Sequence, residues 1–68
     1  MNRINEILKQ KGMGRVEFAY KTGMSPMTLY RIITEKSNPT LNSVWKILKV
    51  LDKNFDEVFF MPDDIDVR

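Results

Sequence analysis

The sequence predicts an all-α domain: five short helices packed around one core. Three observations carry that reading. Large apolar residues recur at helical spacing from Ile4 onward. Glycine, or a Ser, Thr or Asn in a capping position, interrupts that spacing every ten residues or so. The third is size. The 68 residues make a single domain with neither Cys nor His, so a compact apolar core has to do the stabilising. A chain this short buries only about 60% of its unfolded surface.

The elements follow in order. Ile4, Ile7 and Leu8 recur at i, i+3 and i+4 and mark a first helix over residues 2–11, which Gly12 stops. A second helix covers residues 15–22. It turns Phe18 and Ala19 inward, and the small Ala lets another helix approach closely. Gly23 supplies the positive φ of a tight turn, and Met24 plugs that turn. The third helix opens with Ser25 as N-cap and Pro26 at the first helical position, where a missing N–H costs nothing. Leu29 and Ile32 are its buried pair, Ile33 extends the apolar face, and the helix ends near Thr34.

Residues 35–40 form a polar loop in which Pro39 disfavours helix at Asn38. Thr40 then caps a fourth helix that runs to Leu51, with Val44, Ile47, Leu48 and Leu51 in helical period. Asn54 with Glu57 three residues on has the pattern of a capping box. It opens a short fifth helix that buries Phe55, Val58 and Phe59. The domain is expected over residues 1–61, followed by a loose acidic tail over 62–68.

Composition removes several functions. Without cysteine there is no disulfide or thiolate metal site, which suits a reducing cytoplasm. Without histidine a zinc site would need carboxylates alone, and acid–base chemistry near neutral pH lacks its commonest residue. No nucleophile–base pair, metal constellation or phosphate loop is present, so neither an enzyme nor a cofactor is expected. The opening residues hold no long apolar run, so neither a signal peptide nor a membrane span is expected. Charge is divided. Residues 1–53 hold ten Lys or Arg against four acids, a net +6, whereas residues 54–68 hold five acids and Arg68, a net −4. A basic body with an acidic end fits a polyanionic partner, and it also fits ordinary solubilisation.

Two helical patterns about Gly23, the second starting at Ser25-Pro26, form the grammar of a helix-turn-helix, which presents one helix to the DNA major groove. Six pieces occur in order at matching spacing: Lys11-Gly12-Met13, Phe18-Ala19, Gly23-Met24-Ser25, Thr28-Leu29-Tyr30-Arg31-Ile32, Asn38-Pro39-Thr40-Leu41, and the run from Phe55 to Phe59. Over roughly residues 3–60 the chain resembles the Cro/phage-repressor (XRE-like) type of helix-turn-helix domain. The resemblance implies a lambda-repressor-like five-helix fold, and a cytoplasmic protein encoded by a bacterium or a phage. It also has departures. Many members start the second helix with Thr-Gln, the Gln anchoring a phosphate; here Gly14 and Arg15 stand there. Gly14 is a poorer cap, whereas Arg15 brings charge and a forked donor set. Leu8 and Ile33 occupy positions where some phage repressors bury an Arg–Glu pair. Glu35 replaces the usual Gly after the third helix, which leaves the path of that loop open.

With Leu29 and Ile32 inward, Pro26, Met27, Thr28, Tyr30 and Arg31 fall on the opposite side of the third helix as candidate base contacts. In this motif the helix enters the groove by its N-terminal end, which puts Met27 and Arg31 on the base-facing edge. Arg31 suits bidentate donation to guanine O6 and N7, Met27 and Pro26 suit a thymine methyl, and Thr28 or Tyr30 offers a hydroxyl. The half-sites should therefore contain a G with neighbouring T bases. Other readings stand beside these: an Arg31–Glu35 ion pair, a Met27 in the core, a Tyr30 half-buried at the domain edge. Arg15, Ser25, Lys36, Ser37 and Asn38, with backbone N–H groups, are the candidate phosphate contacts. The remaining lysines are read as solubilising.

One such domain reads few base pairs, so a homodimer on an inverted repeat is expected. Trp45, Val50, Phe60 and Met61 are the candidate interface, unless Trp45 and Phe60 complete the core instead. The expected function is a sequence-specific regulator of transcription that binds double-stranded DNA; repression rather than activation comes from the resemblance. The competing class is a protein-interaction module, such as an antitoxin covering a toxin, or an adaptor that keeps the fold without DNA affinity, with a toxin or co-regulator as the partner. Val16, Tyr20 and the acidic tail would then be its working surface.

Overall fold

The computed structural model describes residues 2–60. Five helices follow one another: α1 (Ile4–Lys11), α2 (Arg15–Thr22), α3 (Pro26–Ile33), α4 (Leu41–Leu51) and α5 (Phe55–Val58). Met61, the acidic residues 62–68 and the boundary expected between them lie outside the described residues.

Local chemistry sets most of the helix ends. Gly23 takes φ 70° after α2, and the Met24 N–H donates to the Ala19 carbonyl at 3.2 Å, closing the turn toward α3. Thr22 completes that corner. Its buried hydroxyl lies 3.0 Å from the Phe18 carbonyl and 3.1 Å from that of Ala19, and it accepts the Met24 N–H at 3.3 Å. Ser25 accepts the Thr28 N–H and Thr40 accepts the Ser43 N–H, each at 3.1 Å, so both expected N-caps are in place. At α5 the Asn54–Glu57 capping box forms as its spacing suggests.

The core is one cluster. Phe18, Ile4, Ile47, Leu51 and Val58 are fully buried at its centre, with Ile7, Leu8, Ala19, Leu29, Ile32 and Ile33 around them. α2 packs against both α3 and α4, and α4 packs against α5. Leu8 and Ile33 are both in this cluster, so apolar packing fills the positions where some phage repressors bury an Arg–Glu pair.

Three expectations need correction. α1 begins at Ile4, because Asn2 is extended and forms an isolated antiparallel bridge with Phe59. The Asn2 amide donates to the carbonyls of Ile32 (3.1 Å) and Ile33 (3.4 Å), its Oδ1 accepts the Ile4 N–H (3.3 Å), and the Arg3 N–H donates to Val58 (2.8 Å). Asn thus acts as a cap and a tie, the work its short amide does better than helix propagation. Phe59 lies just past α5 in extended backbone and is only partly buried. Phe55 is 56% exposed, its ring tilted against Phe59 at 5.4 Å between centroids. A four-residue helix has too little length to turn more than one residue into the core, and that residue is Val58.

The loop after α3 follows the path a glycine would take. Glu35 sits at φ 61°, and the N–H groups of Lys36 and Ser37 donate to the Arg31 carbonyl at 2.8 and 3.3 Å. These bonds hold an L-residue in left-handed backbone, a conformation that crowds its Cβ. Glu35→Gly removes that crowding at the cost of extra unfolded-state freedom.

Candidate nucleic-acid interface

α3 shows two unlike faces. Leu29, Ile32 and Ile33 are buried, while Pro26, Met27, Thr28, Tyr30 and Arg31 are all exposed on the other side. Met27 is 63% exposed and so is not a core residue. Tyr30 is 42% exposed. There is no acidic residue in α3 to repel a polyanion.

The hydroxyls at the start of α3 are ordered. Ser25 Oγ accepts from the Thr28 N–H and donates to Thr28 Oγ1 at 2.8 Å. One of the two exposed hydroxyl protons is spent in that bond, and the other is left for an outside acceptor such as a phosphate. On the far side of α3, Lys36, Ser37 and Asn38 are exposed, but the backbone N–H groups of Lys36 and Ser37 are taken by the Arg31 carbonyl.

Arg15, the first residue of α2, places its guanidinium carbon 5.8 Å from the centroid of the Tyr30 ring. Glu17, the nearest acid along α2, pairs with Lys21 at 3.3 Å. Arg15 and Tyr30 thus bring cationic and aromatic chemistry together where α2 packs against α3. The sequence names each of these residues as a candidate but gives no sign of the Arg15–Tyr30 contact, which depends on how the two helices cross.

A second surface is apolar. Leu41 is 89% exposed and Trp45 67% exposed, and with Phe55 they stand along α4 and α5. Beside them lies a groove of about 350 Å³ walled by Ile32, Pro39, Leu41, Val44, Phe55 and Phe59. Of the interface candidates, Trp45 is on this surface and does not complete the core. Val50 packs partly against the core, and Phe60 lines the groove with the Arg3 guanidinium 5.1 Å from its ring centroid. Met61 is outside the described residues. Sequence reasoning missed Leu41 and Phe55. The available signal was α4 itself, in which seven of eleven residues are apolar, too many for a single inward stripe. Among the described residues no helix is long and apolar enough to cross a membrane.

Two helices joined through a left-handed glycine, the second showing an acid-free polar face, define a helix-turn-helix DNA-binding domain of the Cro/repressor type. The chain belongs to the helix-turn-helix family, whose model matches residues 4–58, from the first core residue of α1 to the last of α5. It is also similar to an uncharacterised HTH-type transcriptional regulator of Archaeoglobus fulgidus, with 31% identity over 62 residues that cover 91% of this chain and 89% of the relative.

Proposed function

We propose that the chain is a sequence-specific regulator of transcription, a repressor that binds an inverted-repeat operator in double-stranded DNA as a homodimer and acts in the cytoplasm. α3 lies in the major groove, Met27 and Arg31 meet base edges with Pro26 and Thr28 beside them, and Arg15, Lys36, Ser37 and Asn38 meet phosphates. The observation that supports this reading best is the outward face of α3, which joins exposed Met27 and Arg31 without any acid. Selection of bound duplexes from a random pool, followed by fluorescence anisotropy across a salt series, tests it. The expected result is an inverted repeat with half-sites about 10 bp apart. Affinity should fall steeply with salt, by about 0.9 in log K per phosphate neutralised for each tenfold rise. A pool that returns no salt-sensitive sequence sinks the reading.

The dimer face we assign is Leu41, Trp45 and Phe55: Leu41 and Phe55 wall the groove, and Phe55 and Trp45 line a second hollow next to it. A two-fold axis presents the same patch on both copies, so ridges such as Phe55 can enter the partner's groove. Phe55→Asp places a charge at a half-exposed position and should leave the fold intact. Self-association measured by sedimentation should weaken at least tenfold, which is about 1.4 kcal/mol. An unchanged dimer constant would move the interface elsewhere.

Val16 and Tyr20, four apart on α2 and almost wholly exposed, support the second reading, a surface for another protein such as a toxin or co-regulator. Tight, salt-insensitive capture of the product of a neighbouring gene, lost in Tyr20→Ala, would favour it over DNA binding.

A further inference from the structure

Tyr30 has two possible uses: its hydroxyl can meet DNA, or its ring can serve the protein. The contact with Arg15 favours the ring. A guanidinium within about 6 Å of a ring centroid is attracted by the negative face of the π system, and the 5.8 Å separation falls inside that range. Tyr30 is 42% exposed, which leaves ring surface open to the guanidinium. Among the described residues, no hydrogen bond or ion pair holds Arg15. The acid closest along α2, Glu17, is taken by Lys21.

An unsupported Arg side chain loses many rotamers when it binds a phosphate, which weakens binding. Contact with an aromatic face restricts it beforehand and uses none of its five N–H donors, which stay available for a forked pair with phosphate oxygens. The platform also belongs to the helix that carries Met27 and Arg31. It therefore ties the residue that grips the backbone to the helix that meets the bases.

We propose that Tyr30 is a positioning residue for Arg15: its ring holds the guanidinium over the junction of α2 and α3, ready for a DNA phosphate, and its hydroxyl reads no base. This rests on the DNA reading above, and two measurements keep their failures apart. The first needs no DNA. In the free protein the Arg15 side-chain protons should show upfield ring-current shifts by NMR, kept in Tyr30→Phe and lost in Tyr30→Ala. Their absence from the unaltered protein overturns the proposal while leaving DNA binding open.

The second is anisotropy with a selected operator duplex and a random duplex. Tyr30→Ala should weaken both alike, by about two- to five-fold, the range of an exposed cation–π contact. Tyr30→Phe should rescue most of that loss, and Tyr30→Ala should cost nothing further in a protein already carrying Arg15→Ala. Two results overturn the proposal: altered preference at one base position in Tyr30→Phe, or a full Tyr30→Ala loss without Arg15. If the NMR shift is present but no duplex binds with salt dependence, the DNA reading fails, and the positioning role goes with it.

Discussion

Replacing Phe18 by Ala is expected to remove a large share of the protein's stability. Phe18 is fully buried on α2, the helix that packs against both α3 and α4. Truncating a buried Phe costs about 3–5 kcal/mol through lost transfer free energy and the cavity left behind. At roughly 0.05–0.15 kcal/mol per residue, a domain of this length has a total stability of about 3–10 kcal/mol, so one side chain matches a large share of it. No disulfide limits the damage. Circular dichroism should show a shallow melt with a midpoint tens of degrees lower, and operator binding should disappear with it. A midpoint within a few degrees of the unaltered protein would show that the core does not depend on α2 in this way.

The second large effect should come from Arg31→Ala, without loss of fold. Arg31 is exposed on α3, so truncation removes no core packing. If its guanidinium donates to guanine O6 and N7, its loss should cost about 1–3 kcal/mol on the preferred operator, with relaxed preference at a single base position. Arg15→Ala should instead weaken all duplexes by similar factors and flatten the salt dependence by about one phosphate. The two variants therefore separate base reading from backbone grip in one competition assay. If Arg31→Ala keeps its base preference at every position, α3 does not meet the groove through that residue.

How much of this was legible depends on whether neighbours in sequence or neighbours in space decide a residue's fate. α2, the Gly23 turn and α3 were readable to the residue, because an αL glycine and a Ser-Pro start are decided within a few positions. Phe18, Leu29 and Ile32 followed from helical period alone. Asn2 and Phe59 did not, since their places depend on a bridge between the two ends of the described chain. Apolar character made Phe55 a core candidate, but only the shortness of α5 shows that its ring must stay half outside. Glu35 is an intermediate case. The sequence showed that the usual glycine was absent, and the hydrogen bonds of Lys36 and Ser37 to Arg31 show that the turn keeps its left-handed path without it. At the candidate site, the outward set on α3 was legible by period. Leu41 and the Arg15–Tyr30 contact were not, for they require the crossing of whole helices.

The Asn2 tie has a kinetic consequence. The turns and caps that delimit the helices join residues a few positions apart and form quickly, whereas the bridge from Asn2 to Phe59 closes a loop of nearly the whole described chain. Loop-closure entropy makes such a joint late to form and early to open. When it opens, the carbonyls of Ile32 and Ile33 lose the Asn2 amide, and the end of α3 loosens beside the loop that carries Lys36, Ser37 and Asn38. Amide protons at the ends of α3 and α5 should therefore exchange with solvent as one unit, while those around Phe18 persist. A weakness introduced at the second residue of the chain would thus be felt at the thirty-sixth, in the loop proposed to meet phosphate.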